Sequence, residues 1–142
     1  CENGKVAKYV TDFPCGELLC KKNIIAIPHL GASTPEAEDN CAIMAANELK
    51  DYLENGNIVN SVNFPRLSVP KTNNDRLTVA YKNNENVTSE VTSIVADNMA
   101  NIATATRGNV GYIIIDLKKS IDSTKLDAIQ KLNGVLKVRV ID

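Results

Sequence analysis

The chain holds one histidine, His29, and its setting is suited to chemistry. It follows the apolar run Ile24-Ile25-Ala26-Ile27-Pro28 and precedes Leu30-Gly31-Ala32-Ser33-Thr34-Pro35. An imidazole changes charge near neutral pH, so it can give or take a proton in a reaction at physiological pH. The end of a buried strand is where ligands bind in open α/β sheets. Gly31 would let the backbone come close to a bound molecule. Spacing alone also allows a structural or solvent-facing histidine. A second candidate is the loop Asn83-Asn84-Glu85-Asn86, rich in amides that donate and accept hydrogen bonds. Placed at a helix N-terminus it suits a small zwitterion, whose carboxylate meets free backbone N–H groups. The same asparagines also serve as turn and cap residues.

Other chemistries find little support. Cys1, Cys15, Cys20 and Cys41 all fall in the first 41 residues. Their spacing fits no zinc knuckle or redox pair, and one histidine with no C-x-x-C leaves no metal site. Reduced thiols in a cytoplasmic protein are the expectation. The net charge is −1 and the basic residues are scattered, so no nucleic-acid footprint is expected. No apolar run approaches the roughly 20 residues that span a bilayer, and no membrane partner is expected.

The elements that must position these residues can be read in order. The 142 residues are 44% hydrophobic and 23% charged, enough for one ordinary domain or two small modules. Alternation over residues 5–13 predicts a strand, and the apolar run 23–27 predicts a second, buried on both faces of a parallel sheet. Thr34 is a good N-cap and Pro35 suits the first helical position. Apolar residues at Ala37, Cys41, Ala45, Leu49 and Leu53 continue the helix to Asn55-Gly56. Residues 57–74, with two prolines and no helical period, read as an extended connector.

The remaining residues alternate strand and helix patterns. Leu77, Val79 and Tyr81 mark a strand. Val87, Val91, Ile94, Val95 and Met99 follow helical spacing. Residues 102–107 and 111–117 are strands joined at Arg107-Gly108-Asn109. Asp122 caps a helix carrying Leu126, Ile129 and Leu132, and residues 135–141 form the last strand. The order β-α-β-β-α-β predicts a ferredoxin-like α+β fold, with both helices on one face of an antiparallel sheet.

These residues carry a resemblance. "NIIAIPHLGASTPEAEDNCAIMAANELKDYLENGNIVNSVNFP" resembles the C-terminal segment of the NAD-dependent D-2-hydroxyacid dehydrogenases, and "NSVNFP" points to their D-3-phosphoglycerate dehydrogenase branch. Residues 75–142 resemble the ACT domain that ends many of these enzymes. The resemblance implies that residues 1–56 are the tail of the cofactor and substrate domains, a partial Rossmann-type α/β unit with a crossover helix. It makes residues 57–74 a linker and residues 75–142 an ACT regulatory domain. It further implies that His29 is the general acid/base and that His29, Leu30, Gly31 and Ala32 lie against NAD. The parent would oxidise 3-phosphoglycerate to 3-phosphohydroxypyruvate in L-serine synthesis.

Asn83 and Asn101 match the family's serine-binding asparagines. L-serine or another amino acid is therefore the implied effector, bound where ACT domains join subunits into a homo-oligomer. An ACT module that only assembles subunits, or a different D-2-hydroxyacid dehydrogenase, are the alternatives. There are departures from the family pattern. No three of the seven glycines make the cofactor fingerprint G-x-G-x-x-G. Phe13 stands where the family has the glutamate that orients the histidine, with Asp12 and Glu17 nearby. Tyr81, Glu85 and Asn86 replace residues common in the effector loop. The 142-residue chain by itself should therefore not turn over NAD. An assay with phosphohydroxypyruvate should give no rate above a His29→Ala control, and a rate above that control would contradict the reading.

Overall fold

The computed structural model describes residues 1, 3–83 and 86–142, in two compact units, Cys1–Ala46 and Asn47–Asp142. In the first unit, β1 (Tyr9–Thr11) and β2 (Ile24–Ala26) run parallel, with Tyr9 opposite Ile24 and Thr11 opposite Ala26. A single 3-10 turn, Gly16–Leu18, lies on the connection. The strands are shorter than their sequence pattern and less buried. Ile25 is 42% exposed and Ile27 47%. A ladder of two parallel strands has neither further strands nor covering layers to bury such a run on both faces.

The long helix α1 (Pro35–Asn55) starts as its residue types require. The Thr34 hydroxyl accepts a hydrogen bond from the Ala37 N–H at 3.2 Å, and Pro35 takes the position where its missing N–H costs nothing. The helix ends at Gly56, whose φ of +72° is left-handed. A side chain there would also lie 2.6 Å from the Thr78 methyl, so glycine is required twice over.

In the second unit β3 (Arg76–Lys82), β4 (Met99–Arg107), β5 (Val110–Leu117) and β6 (Val135–Ile141) form one sheet in the order β4-β5-β3-β6. All three pairings are antiparallel. Helices α2 (Val87–Val95) and α3 (Ser123–Gln130) make the crossovers, and the arrangement is ferredoxin-like, as the element order predicts. One face packs Leu77, Val79, Ile113 and Ile115 against Val87, Val91 and Val95 of α2 and Ile129 of α3. Asp122 caps α3 through its carboxylate, which accepts from the Thr124 N–H at 2.7 Å. That bond holds the Asp122 carboxyl below the usual range. Tyr81 lays its ring over Gly111, leaving no room there for a side chain.

Two departures from the sequence pattern have physical causes. Helix α2 stops at Val95, and Met99 begins β4 instead of continuing the helix. Asn98 ends the helix, because its side chain bonds both backbone groups of Lys119, at 3.0 and 2.7 Å. Residues 57–69 are more than an extended connector. Ile58, Phe64, Leu67 and Val69 pack with Tyr52 over Ala80, Tyr112 and Ile114 on the second face of the sheet. A bridge between Ile58 and Leu67 closes this strap. It explains why β3 and β5 are buried almost throughout.

The strap is anchored by a buried arginine. Arg76 is 0% exposed and its Nε donates to Asp116 Oδ1 at 2.7 Å. Its Nη1 donates to the carbonyls of Asn55 (2.9 Å) and Val69 (3.0 Å), and its Nη2 to that of Pro70 (2.8 Å). Beside it, the Tyr112 hydroxyl donates to the Gly56 carbonyl at 2.8 Å. Burial pushes the Tyr112 phenol up to about 12.

Replacing Arg76 with Met leaves Asp116 buried and uncompensated, and should cost about 3–5 kcal/mol by urea unfolding. The double variant Arg76→Met/Asp116→Leu should recover much of that. Tyr112→Phe should cost about 1–3 kcal/mol by leaving the Gly56 carbonyl without its partner. The unfolded phenol loses its proton near 10.0, while the folded one holds it to about 12. Between those values the unfolded state binds fewer protons, so stability should fall as pH rises through that window. Unfolding curves should show this loss in the wild type, and Tyr112→Phe should lack it.

Candidate functional site

Because β1 and β2 are parallel, their carboxyl ends lie side by side, and the residues just past each end meet. The ladder extends through the bond from the Ile27 N–H to the Thr11 carbonyl, at 3.0 Å. Beyond it the Phe13 N–H donates to the Thr11 hydroxyl at 3.2 Å, which turns the chain around Asp12. His29 Nδ1 then lies 3.5 Å from Asp12 Oδ2, with 60% and 50% of the two side chains exposed. The Phe13 ring stands edge-on to the imidazole, with 5.6 Å between centroids and 77° between planes. Asp12 is thus the carboxylate at the histidine, and Glu17 lies in the 3-10 turn. Register was the missing signal: the sequence pattern predicts a parallel sheet, but residues 17 positions apart meet only in this register.

After His29 the backbone turns tightly, with bonds from Leu30 N–H to the Pro28 carbonyl and from Ser33 N–H to the Leu30 carbonyl, both 3.0 Å. Leu30, Gly31 and Ala32 are exposed. A Cβ on Gly31 would meet nothing within 4 Å, so a ligand can approach the main chain there.

The amide candidates lie in the second unit. The Asn83 N–H donates to the Asn109 carbonyl at 2.9 Å, and its side-chain amide to the Gly108 carbonyl at 3.1 Å. Asn84 and Glu85 lie outside the described residues. Asn86 is the N-cap residue of α2, but its side chain makes no capping bond. Asn101 is exposed, next to a register shift in β4, and faces Asp116 across the ladder. Asp116 in turn faces Arg76 at the start of β3, whereas Asn83 follows the far end of that strand. Within one chain the two asparagines are therefore a strand length apart, roughly 20 Å. A single copy does not bring them together.

The buried Arg76–Asp116 pair beside Asn101 is not evident in the sequence. The only hint is that each charge interrupts an apolar strand, in "RLTVAY" and "YIIIDL". Asp116 Oδ2 has no hydrogen-bond partner among the described residues.

Comparison with known proteins places these features in context. No family model matches the chain. D-3-phosphoglycerate dehydrogenase of Escherichia coli is 32% identical over 129 residues, covering 87% of this chain and 32% of the relative. The enzyme of that name from Haemophilus influenzae is 30% identical over 123 residues, covering 84% and 30%. D-3-phosphoglycerate dehydrogenase 2 of Saccharomyces cerevisiae is 33% identical over 123 residues, covering 82% and 26%. The chain thus spans about a third of the length of the curated relatives it matches. Among solved structures, the ACT domain from GTP pyrophosphokinase of Chlorobium tepidum aligns with a TM-score of 0.36 and 17% identity, over 47% of this chain and 95% of that one. Among the described residues, no helix is long and apolar enough to cross a membrane. Along most of its length, the chain is a homologue of D-3-phosphoglycerate dehydrogenases.

Proposed function

We propose that the chain works as the C-terminal portion of a cytoplasmic D-3-phosphoglycerate dehydrogenase, at the entry to L-serine synthesis. In this reading residues 1–56 complete the cofactor and substrate domains, residues 57–74 link, and residues 75–142 are an ACT regulatory domain. The observation that carries it is the sequence relation over 129 residues, which includes a lone histidine at the carboxyl ends of two parallel strands. His29 takes the proton of the substrate hydroxyl during oxidation and returns it in reduction. NAD, when bound, supplies hydride transfer at the neighbouring carbon. The open backbone at Leu30, Gly31 and Ala32 fits one wall of that cofactor's site. The phosphate-cradling glycine loop is not among this chain's residues.

The ACT module is assigned a regulatory role. β4 lies at the edge of the sheet, and such an edge can pair with another copy. Antiparallel pairing of two β4 strands about a two-fold axis would set Asn101 of one copy level with the far end of the other. That end carries the Gly108-Asn109 turn to which Asn83 is bonded. An amino acid held there would meet one amide from each subunit, and L-serine is the effector that the family resemblance implies.

Losing either amide should leave a buried polar partner unsatisfied and cost about 1–3 kcal/mol of binding, or roughly ten- to a hundredfold in affinity. Calorimetric titration of L-serine into wild type, Asn83→Ala and Asn101→Ala checks this. Equal affinity in all three removes the site. No heat in the wild type leaves the assembly-only module.

A further inference from the structure

We propose that Asn133, in the turn between α3 and β6, is a site of spontaneous deamidation whose isoaspartate product loosens the end of β3. In an Asn-Gly pair the glycine backbone nitrogen can attack the asparagine side-chain carbonyl carbon, because no side chain on the glycine hinders the approach. A new bond forms from that nitrogen to Cγ and closes a succinimide ring. The bond from Cγ to the side-chain nitrogen breaks, and ammonia leaves with the proton of the glycine nitrogen. Water then opens the ring. Cleavage at one carbonyl gives aspartate. Cleavage at the other gives isoaspartate, in which the main chain runs through the side-chain methylene. Water is the only co-reactant.

The chain has three such pairs, Asn3-Gly4, Asn55-Gly56 and Asn133-Gly134, and the structure separates them. Asn55 sits in the last turn of α1. Its amide nitrogen donates to Asp51 Oδ1 at 2.7 Å, its backbone carbonyl accepts from Arg76 at 2.9 Å, and the Gly56 N–H donates to the Tyr52 carbonyl at 3.0 Å. Gly56 is itself buried, so attack there requires undoing the end of the helix. In the first unit, Asn3 Oδ1 accepts from the Lys5 N–H at 3.2 Å, and the Gly4 N–H donates to the Cys1 carbonyl at 3.2 Å. Asn133 is exposed and lies outside both elements that it joins. Among the described residues, neither its side-chain amide nor the Gly134 N–H donates a hydrogen bond. Nucleophile and carbonyl are therefore free to meet. The φ of Gly134 is +88°, a conformation that favours glycine, so the turn itself retains the reactive neighbour.

The contacts made by this turn give the reaction a structural consequence. The Gly134 carbonyl accepts from the Lys82 N–H at 2.8 Å, and the Val135 N–H donates to the Leu132 carbonyl at 3.2 Å. An extra main-chain carbon between residues 133 and 134 lengthens the span that these bonds close, and both cannot be kept. Lys82 ends β3 and precedes Asn83, so the loss reaches the base of the amide loop.

Mass spectrometry of peptides from the 142-residue chain, incubated folded and in urea, measures the reaction at each site. The ratio of folded to unfolded rate cancels the effect of sequence neighbours. That ratio should lie within about threefold of one at Asn133, whereas Asn55 should be slowed at least roughly tenfold because it must wait for local opening. A ratio at Asn133 as low as that at Asn55 overturns the site. The deamidated chain is then separated from fresh chain by its added negative charge. Its Lys82 N–H should exchange with solvent at least about tenfold faster than in fresh protein. The variant Asn133→Gln, incubated for the same time, should keep the fresh rate. An unchanged Lys82 rate in the deamidated wild type, or an equal rise in Asn133→Gln, overturns the effect on β3.

Discussion

The guanidinium of Arg76 ties the sheet, the end of α1 and the strap together at one buried point. Its planar fork reaches a carboxylate on β5, the carbonyl that ends α1, and two carbonyls of the strap. A lysine has three donors on one point charge and could not satisfy this spread of acceptors. Withdrawing both charges from water is expensive, and the pair is tolerable because the hydrogen bonds are short and numerous. What the pair specifies is position. With Asn55, Val69 and Pro70 fixed at one point, the strap between them must lie over Ala80, Tyr112 and Ile114. Tyr112 and Gly56 add a second fixed point on the same side.

This also explains what could be read from the sequence and what could not. Local signals worked where the cause is local. Thr34 and Pro35 start α1, Asp122 caps α3, and Gly108 and Gly134 turn the chain with left-handed backbones. Alternation in β3 and β5 located the strands, because half of each pattern faces the two helices. Signals failed where the cause is distant. Nothing near Met99 says that Asn98 will bond Lys119 and end α2 early. Nothing in "NIVNSVNFPRLSV" says that its apolar residues cover a sheet, because a strap has no period. Nothing in the sequence singles out Arg76, since its four acceptors come from three separate segments.

The two candidate sites differ in the same way. His29 could be singled out from its neighbours in sequence, but Asp12 could not be chosen over Glu17 before the register of the two strands was known. Asn83 and Asn101 could be named as amides, but the register puts them at opposite ends of one sheet. A ligand that touches both needs a second copy, which makes binding and assembly a single equilibrium.

The Tyr81 ring resting on Gly111 limits how this sequence can drift. Any side chain gained first at 111 collides with the ring. A smaller residue gained first at 81 leaves a hole in the core that Tyr81 shares with Val87 and Val91, destabilising but survivable. The order of events is therefore constrained. Position 81 must shrink before position 111 can grow, so any lineage that exchanges the pair passes through a less stable intermediate, unless it has already gained stability elsewhere.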